Sequence, residues 1–170
     1  MSDPYQDAAE ALPEEVRRLL RRADGFLDLR MLERAGLELE QVPPACRDNL
    51  VCQRVHLRMA VAARDWPHCA SLAASLADAC PDDCGLWIEW AYATRRAAGI
   101  PEARSILMKA WDRFPRVAVI PFNLACYACR EGDPEGARDL LARAFALDEA
   151  YRELALEDED LKELWDDLGG

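Results

Sequence analysis

The sequence predicts an all-α chain of four helix-turn-helix units, each 34 residues long, closed by a C-terminal capping helix. Three observations predict this. Ala, Leu, Glu and Arg dominate a composition that is 51% apolar and 31% charged, while Ile, Val and Thr are sparse, which favours helices over sheets. Sliding the chain against itself by 34 residues brings small and apolar residues into register without gaps. Gly, Asp and Pro recur at matching places between the resulting segments. At 170 residues the chain has room for one domain with a real core.

The register is explicit. Ala35, Cys69, Ala103 and Ala137 form one column, Leu39, Ala73, Leu107 and Leu141 a second, and Val42, Leu76, Ala110 and Ala144 a third. In the other half of the unit, Ala23, Leu57, Ala91 and Ala125 align, preceded by Leu19, Gln53, Trp87 and Pro121. The units therefore run over residues 16–49, 50–83, 84–117 and 118–151. Small residues at fixed places let paired helices approach closely, and large ones fill the space that remains.

Taken in order, the first unit is the least regular, with Gly25 inside its first helix at a cost of about 1 kcal/mol relative to Ala. Pro43-Pro44 stops its second helix. In the second unit, Asp65-Trp66-Pro67 marks the turn and Pro81 the end. In the third these are Gly99-Ile100-Pro101-Glu102 and Pro115. The fourth has the clearest turn, Gly132-Asp133-Pro134-Glu135: Gly ends one helix, Asp caps the next, and Pro and Glu suit its first turn. Residues 1–15 are an acidic N-terminal segment. Beyond Tyr151, residues 152–170 form an acidic capping helix and tail: Leu161, Leu164, Trp165 and Leu168 fall at i, i+3, i+4 and i+7, behind a cap at Asp158 or Asp160.

Charge is concentrated at the ends. Residues 1–15 carry five acids and no base, and residues 152–170 eight acids against two bases, leaving a neutral middle in a chain of net charge −11. This argues against nucleic acid as a partner. No apolar run approaches a membrane span and the N-terminus has no export pattern, so the expected location is cytoplasmic and the seven cysteines are expected as reduced thiols.

Signatures of catalysis are missing: there is no phosphate-binding Gly loop, no Gly-x-Ser-x-Gly and no His-Glu-x-x-His, and the chain has two histidines, His56 and His68. The chain is expected to be no enzyme and to need no cofactor. Cys126-x-x-Cys129 lies within a helix rather than at its N-terminus, so packing is preferred over redox chemistry. Cys80 and Cys84, with His56, His68 or Cys69, could supply metal ligands, but no second close pair completes a site and none is assigned. Trp87, Trp90, Trp111 and Trp165 read as core, whereas Trp66 lies in a turn and is expected to be partly exposed.

Trp87, Trp90, Ala91, Ala103, Leu107 and Pro115 of the third unit resemble the tetratricopeptide repeat family, as do Leu124, Ala125, Gly132-Asp133, Ala137, Leu141 and Ala144 of the fourth. The resemblance covers about four-fifths of the chain and weakens toward the N-terminus, where Arg22 stands at a place usually held by Leu. It implies a right-handed α-solenoid whose first helices line a concave, peptide-binding groove. In this register that face carries Arg54, Arg58, Ile88, Tyr92, Arg95, Phe122, Cys126 and Cys129, with Arg96, Asn123 and Arg130 at its edges. Arginines beside aromatics suit an acidic, partly apolar segment of a protein partner. The bland reading is that these arginines pair with local acids such as Glu89 and Glu131. Some family grooves clamp a terminal carboxylate, but Glu89 and Gly85 break that pattern here.

The resulting expectation is a non-enzymatic interaction module. Its rivals are a bacterial secretion-type chaperone for an apolar partner, a thiol- or metal-responsive regulator, and self-inhibition by the acids at 157–160 entering the arginine-lined groove.

Overall fold

Helix punctuation organises the architecture. The computed structural model describes residues 4–168, and among these every regular element is helical. In chain order they are α1 (Pro4–Glu10), α2 (Glu14–Asp28), α3 (Leu32–Glu40), a 3-10 turn (Pro44–Cys46), α4 (Leu50–Ala63), α5 (Trp66–Ala79) and α6 (Cys84–Ala97). There follow α7 (Ile100–Arg113), α8 (Val119–Arg130), α9 (Pro134–Leu147), α10 (Tyr151–Glu157), a 3-10 helix (Glu159–Leu164) and α11 (Trp165–Leu168). Helices α3, α5, α7 and α9 begin at 32, 66, 100 and 134, and α4 and α6 at 50 and 84. Among the described residues no helix is long and apolar enough to cross a membrane.

The turns show why the helices break there. After α2, Arg30 takes φ 57, and the amides of Arg30 and Met31 donate back to the carbonyls of Leu27 at 2.9 Å and Phe26 at 2.8 Å. Arg64 after α4 and Gly132 after α8 repeat this left-handed turn, which satisfies carbonyls that a helix end leaves open. The residue that follows then starts the next helix. Asp65 accepts from the His68 amide at 3.3 Å, and Asp133 from the Gly136 amide at 2.9 Å.

Two compact units result, Met1–Ala98 and Gly99–Gly170. In the first, α2 packs on α3, α4 on α5, and α5 on α6. Ala23, Ala35, Cys69 and Ala73 are fully buried, with Leu39, Val42, Leu57 and Leu76 filling between them. At the irregular Arg22, the guanidinium bonds Glu38 of α3 at 2.6 Å, so an ion pair stands where the resemblance expects a Leu. In the second unit α8 packs on α9, and Ala103, Leu107, Ala110, Ala125, Ala137 and Ala144 are fully buried.

Three expectations are corrected. The N-terminal segment is not merely acidic: it contains α1, which packs on α4, and Leu12, which is 5% exposed. The C-terminal segment is not one helix. It breaks at Asp158 (φ −85, ψ 113), whose carboxylate accepts from the Asp160 amide at 2.9 Å, within a run of four acids that disfavours continuation. The following 3-10 helix has a three-residue period, which places Leu161 and Leu164 on one side, both fully buried. The side chain of Leu168 lies outside the described residues. Finally, Trp87, Trp90, Trp111 and Trp165 are half-buried at the margins of the cores. Two anchor themselves through the indole, Trp87 to the Pro81 carbonyl at 3.1 Å and Trp165 to that of Ala155 at 3.0 Å.

All seven cysteines are free thiols, five of them buried. Burial pushes the Cys52 thiol up to about 11 and also raises Cys69, Cys84 and Cys129. Around Cys129 the nearby carboxylates of Glu163 and Asp160 add to the effect of burial.

The turns and the thiols each generate a prediction. Replacing Arg64 by Gly removes the left-handed penalty of a side chain at an exposed turn, so Arg64→Gly should stabilise the chain by about 0.5–1 kcal/mol in urea unfolding. A thiol raised on folding favours the native state fully below its ordinary value near 9 and loses that contribution as pH rises through the folded value. The urea midpoint should therefore fall between about pH 9 and 11, and fall less steeply in Cys52→Ala.

Candidate protein-binding surfaces

The arginines of the first unit are held by neighbouring first helices. Arg58 of α4 forms ion pairs with Asp24 and Asp28 of α2, the latter at 2.7 Å. The bond to Asp28, with the charge of Asp24, pushes its guanidinium still higher than usual. Arg54, one turn earlier on α4, pairs with Glu89 of α6 at 2.8 Å. Local pairing thus claims both arginines, as the bland reading has it for Glu89; Glu131 pairs instead with Arg104 at 2.8 Å. The side chains of Arg54 and Glu89 are 38% and 43% exposed, a setting in which such pairs contribute roughly 0–1 kcal/mol.

A different cluster lies on the C-terminal half of α6. Tyr92 is 46% exposed and meets the half-buried Trp66 edge to face, with ring centroids 5.6 Å apart. The Arg96 guanidinium lies 5.1 Å from the Tyr92 centroid and 5.8 Å from that of Trp66, and donates to the Tyr92 hydroxyl at 3.2 Å. Its charge is thus held against aromatic faces. Ile88 and Arg95 lie on the same helix, both half-buried. The register placed Tyr92 on the groove face and Arg96 at its edge, and their common contact is Trp66, which was expected in a turn but is the first residue of α5.

In the second unit the expected face is covered. Phe122 is 7% exposed and Cys126 2%, so neither presents a surface to a partner, which corrects their assignment to an open groove. The chain's own C-terminal segment lies against them. The Tyr151 ring meets that of Phe122 at a tilt, with centroids 5.0 Å apart, the Cys126 thiol donates to Asp158 at 3.6 Å, and Arg130 pairs with Asp160 at 3.7 Å. Cys129 is also buried, while Asn123 is half-buried and Arg130 remains exposed. Capping and acid-on-arginine contact, which the sequence sets as rivals, are made by the same segment.

Thiol and metal chemistry have little support in this geometry. Burial and adjacent carboxylates keep Cys129 protonated, the opposite of an activated thiolate. Among the described residues, no three His, Cys, Asp or Glu side chains are grouped to hold a metal ion.

Sequence reasoning also missed α1. Tyr5, Ala8, Ala9 and Leu12 fall at i, i+3, i+4 and i+7, and all are at least partly buried while Gln6, Asp7 and Glu10 face solvent. That spacing was the available signal, hidden by reading the segment for its charge.

No family model matches the chain, and no curated protein matches it. The solved structure of MamA RS-1 ArsTM double mutant is similar to it, with a TM-score of 0.70 at 13% identity, over 84% of this chain and 80% of that one. The likeness shows the fold: this is an all-α chain of the helical-repeat solenoid class.

Proposed function

We propose that the protein is a non-enzymatic interaction module, built from four 34-residue units, that takes a segment of a protein partner on its first helices. The observation that carries this reading is the cluster of exposed Tyr92 and Arg96 on half-buried Trp66 in the compact unit Met1–Ala98. Tyr, Trp and Arg are the side chains that most often dominate binding energy, because each combines a large apolar area with a polar handle. Here the rings and the guanidinium hold one another in place, so little side-chain freedom is lost when a partner covers them.

The partner segment is acidic and partly apolar. Its apolar residue covers the Tyr92 ring, and its carboxylate meets Arg96 or exchanges with Glu89 at Arg54. The expected face of α8 contributes less, since the chain's own segment already occupies it. No cofactor enters this scheme.

The test is affinity capture from the source cell's extract, with the intact chain beside the Tyr92→Ala/Arg96→Ala variant, followed by titration of the captured partner. Both substituted side chains are exposed, so circular dichroism and melting should be nearly unchanged. The partner should bind the variant at least tenfold more weakly, a loss of about 1.4 kcal/mol or more, and binding to the intact chain should weaken with salt. Equal binding by the two proteins would refute the assignment of this surface.

A further inference from the structure

In the first unit, α1 lies against first helices, where the reading above seats a partner. It packs on α4, and the Asn49 side chain donates to the Ala8 carbonyl at 2.8 Å. Ala9 lines a small pocket of about 200 Å³ with Leu20 and Asp24 of α2 and Val51 and Val55 of α4. Asp24 is also the partner of Arg58, so this pocket adjoins an expected groove residue. At the other end of α1, Tyr5 packs against the buried cluster that includes Leu57, Leu76, Cys80 and Leu86. Burial there, with the Cys80 thiol close by, pushes the phenol up to about 12, while the charge of Arg54 acts the other way. A seven-residue helix thus spans from the Asp24 side of α2 to the neighbourhood of Arg54.

Its attachment is limited. A helix of seven residues has little stability of its own and forms only when packed. Its inward stripe is Tyr5, Ala8 and Ala9, one aromatic and two methyl groups, and its outward face carries Asp7 and Glu10. None of its residues is fully buried. By contrast, α2 and α4 contribute several buried side chains each, including Leu20 and Val16, and Cys52 and Leu57. The occupant is small and the surface beneath it is made by larger helices.

The geometry points to the α2 and α4 surface beneath α1 as a docking site for a short amphipathic helix of a partner, with α1 as its resident, displaceable occupant. The seated segment states the ligand's chemistry: an aromatic residue, an acid two positions on, and small residues at the third and fourth positions. Being on the same chain, α1 acts at an effective concentration that free peptides do not reach, so a partner must outcompete it. The site is thereby closed to weak ligands. This inference rests on the proposed partner-binding role of the first helices but uses a different surface from Tyr92 and Arg96.

The probe is a peptide with the sequence of residues 1–12, labelled at its C-terminus and followed by fluorescence anisotropy. It is titrated into three full-length chains: the native one, Tyr5→Ala and Ala8→Glu. The two substitutions loosen α1 and leave the surface beneath it unaltered. Both variants should remain folded and should bind the peptide saturably, at least tenfold more tightly than the native chain does. The same peptide carrying Tyr5→Ala should not bind. Equal binding by all three chains, or none by either folded variant, would overturn the inference. So would unfolding of both variants, since a displaceable helix cannot be required for the fold. Capture through Tyr92 and Arg96 is read out separately and is unaffected by any of these results.

Discussion

Close approach of neighbouring helices is the constraint on which the rest of this structure depends. Ala35, Cys69, Ala103 and Ala137 are all fully buried, and each stands near the start of the second helix of its pair. A larger side chain there would push apart the helices that the short turns hold together. Once paired, the second helices and the inner stripes of the first helices are committed to the core. On α4 and α6 this leaves an outer stripe with Arg54, Arg58, Tyr92 and Arg96 at least partly exposed, whereas that of α8 is covered by the chain itself.

That division explains why the arginines and aromatics behave differently. A long exposed arginine next to another first helix finds a carboxylate on it, as Arg58 finds Asp24 and Asp28, and Arg54 finds Glu89. These pairs cross between helices and contribute little each, so they mark the face without sealing it. Tyr92 cannot be satisfied in that way. It leans on Trp66 and Arg96 and leaves nearly half of its surface to solvent.

Much of the fold was legible in the sequence because the signals were local and repeated. The 34-residue columns locate the buried small residues, and Asp65 and Asp133 cap the helices that follow the turns they mark. The site was legible only in part. A helical register says which face a residue occupies but not what covers that face, so Phe122 and Cys126 were placed with Tyr92 although Tyr151 and Asp158 lie over them. The C-terminal break escaped for a related reason. The i, i+3, i+4 spacing of Leu161, Leu164 and Trp165 suits an α-helix, and the first step equally suits the 3-10 helix that Asp158 starts. The role of Trp66 depends on where the turn before α5 sets it relative to α6, which no spacing within one helix encodes.

The central claim is that partners meet the outer stripe of the first helices in the first unit. Amide hydrogen exchange on the full-length chain, alone and saturated with its captured partner, tests this most directly. The account predicts slower exchange along the C-terminal half of α6 and no change along α8, which its own C-terminal segment already covers. Protection confined to the second helices α5 and α9, with α6 unchanged, would contradict it.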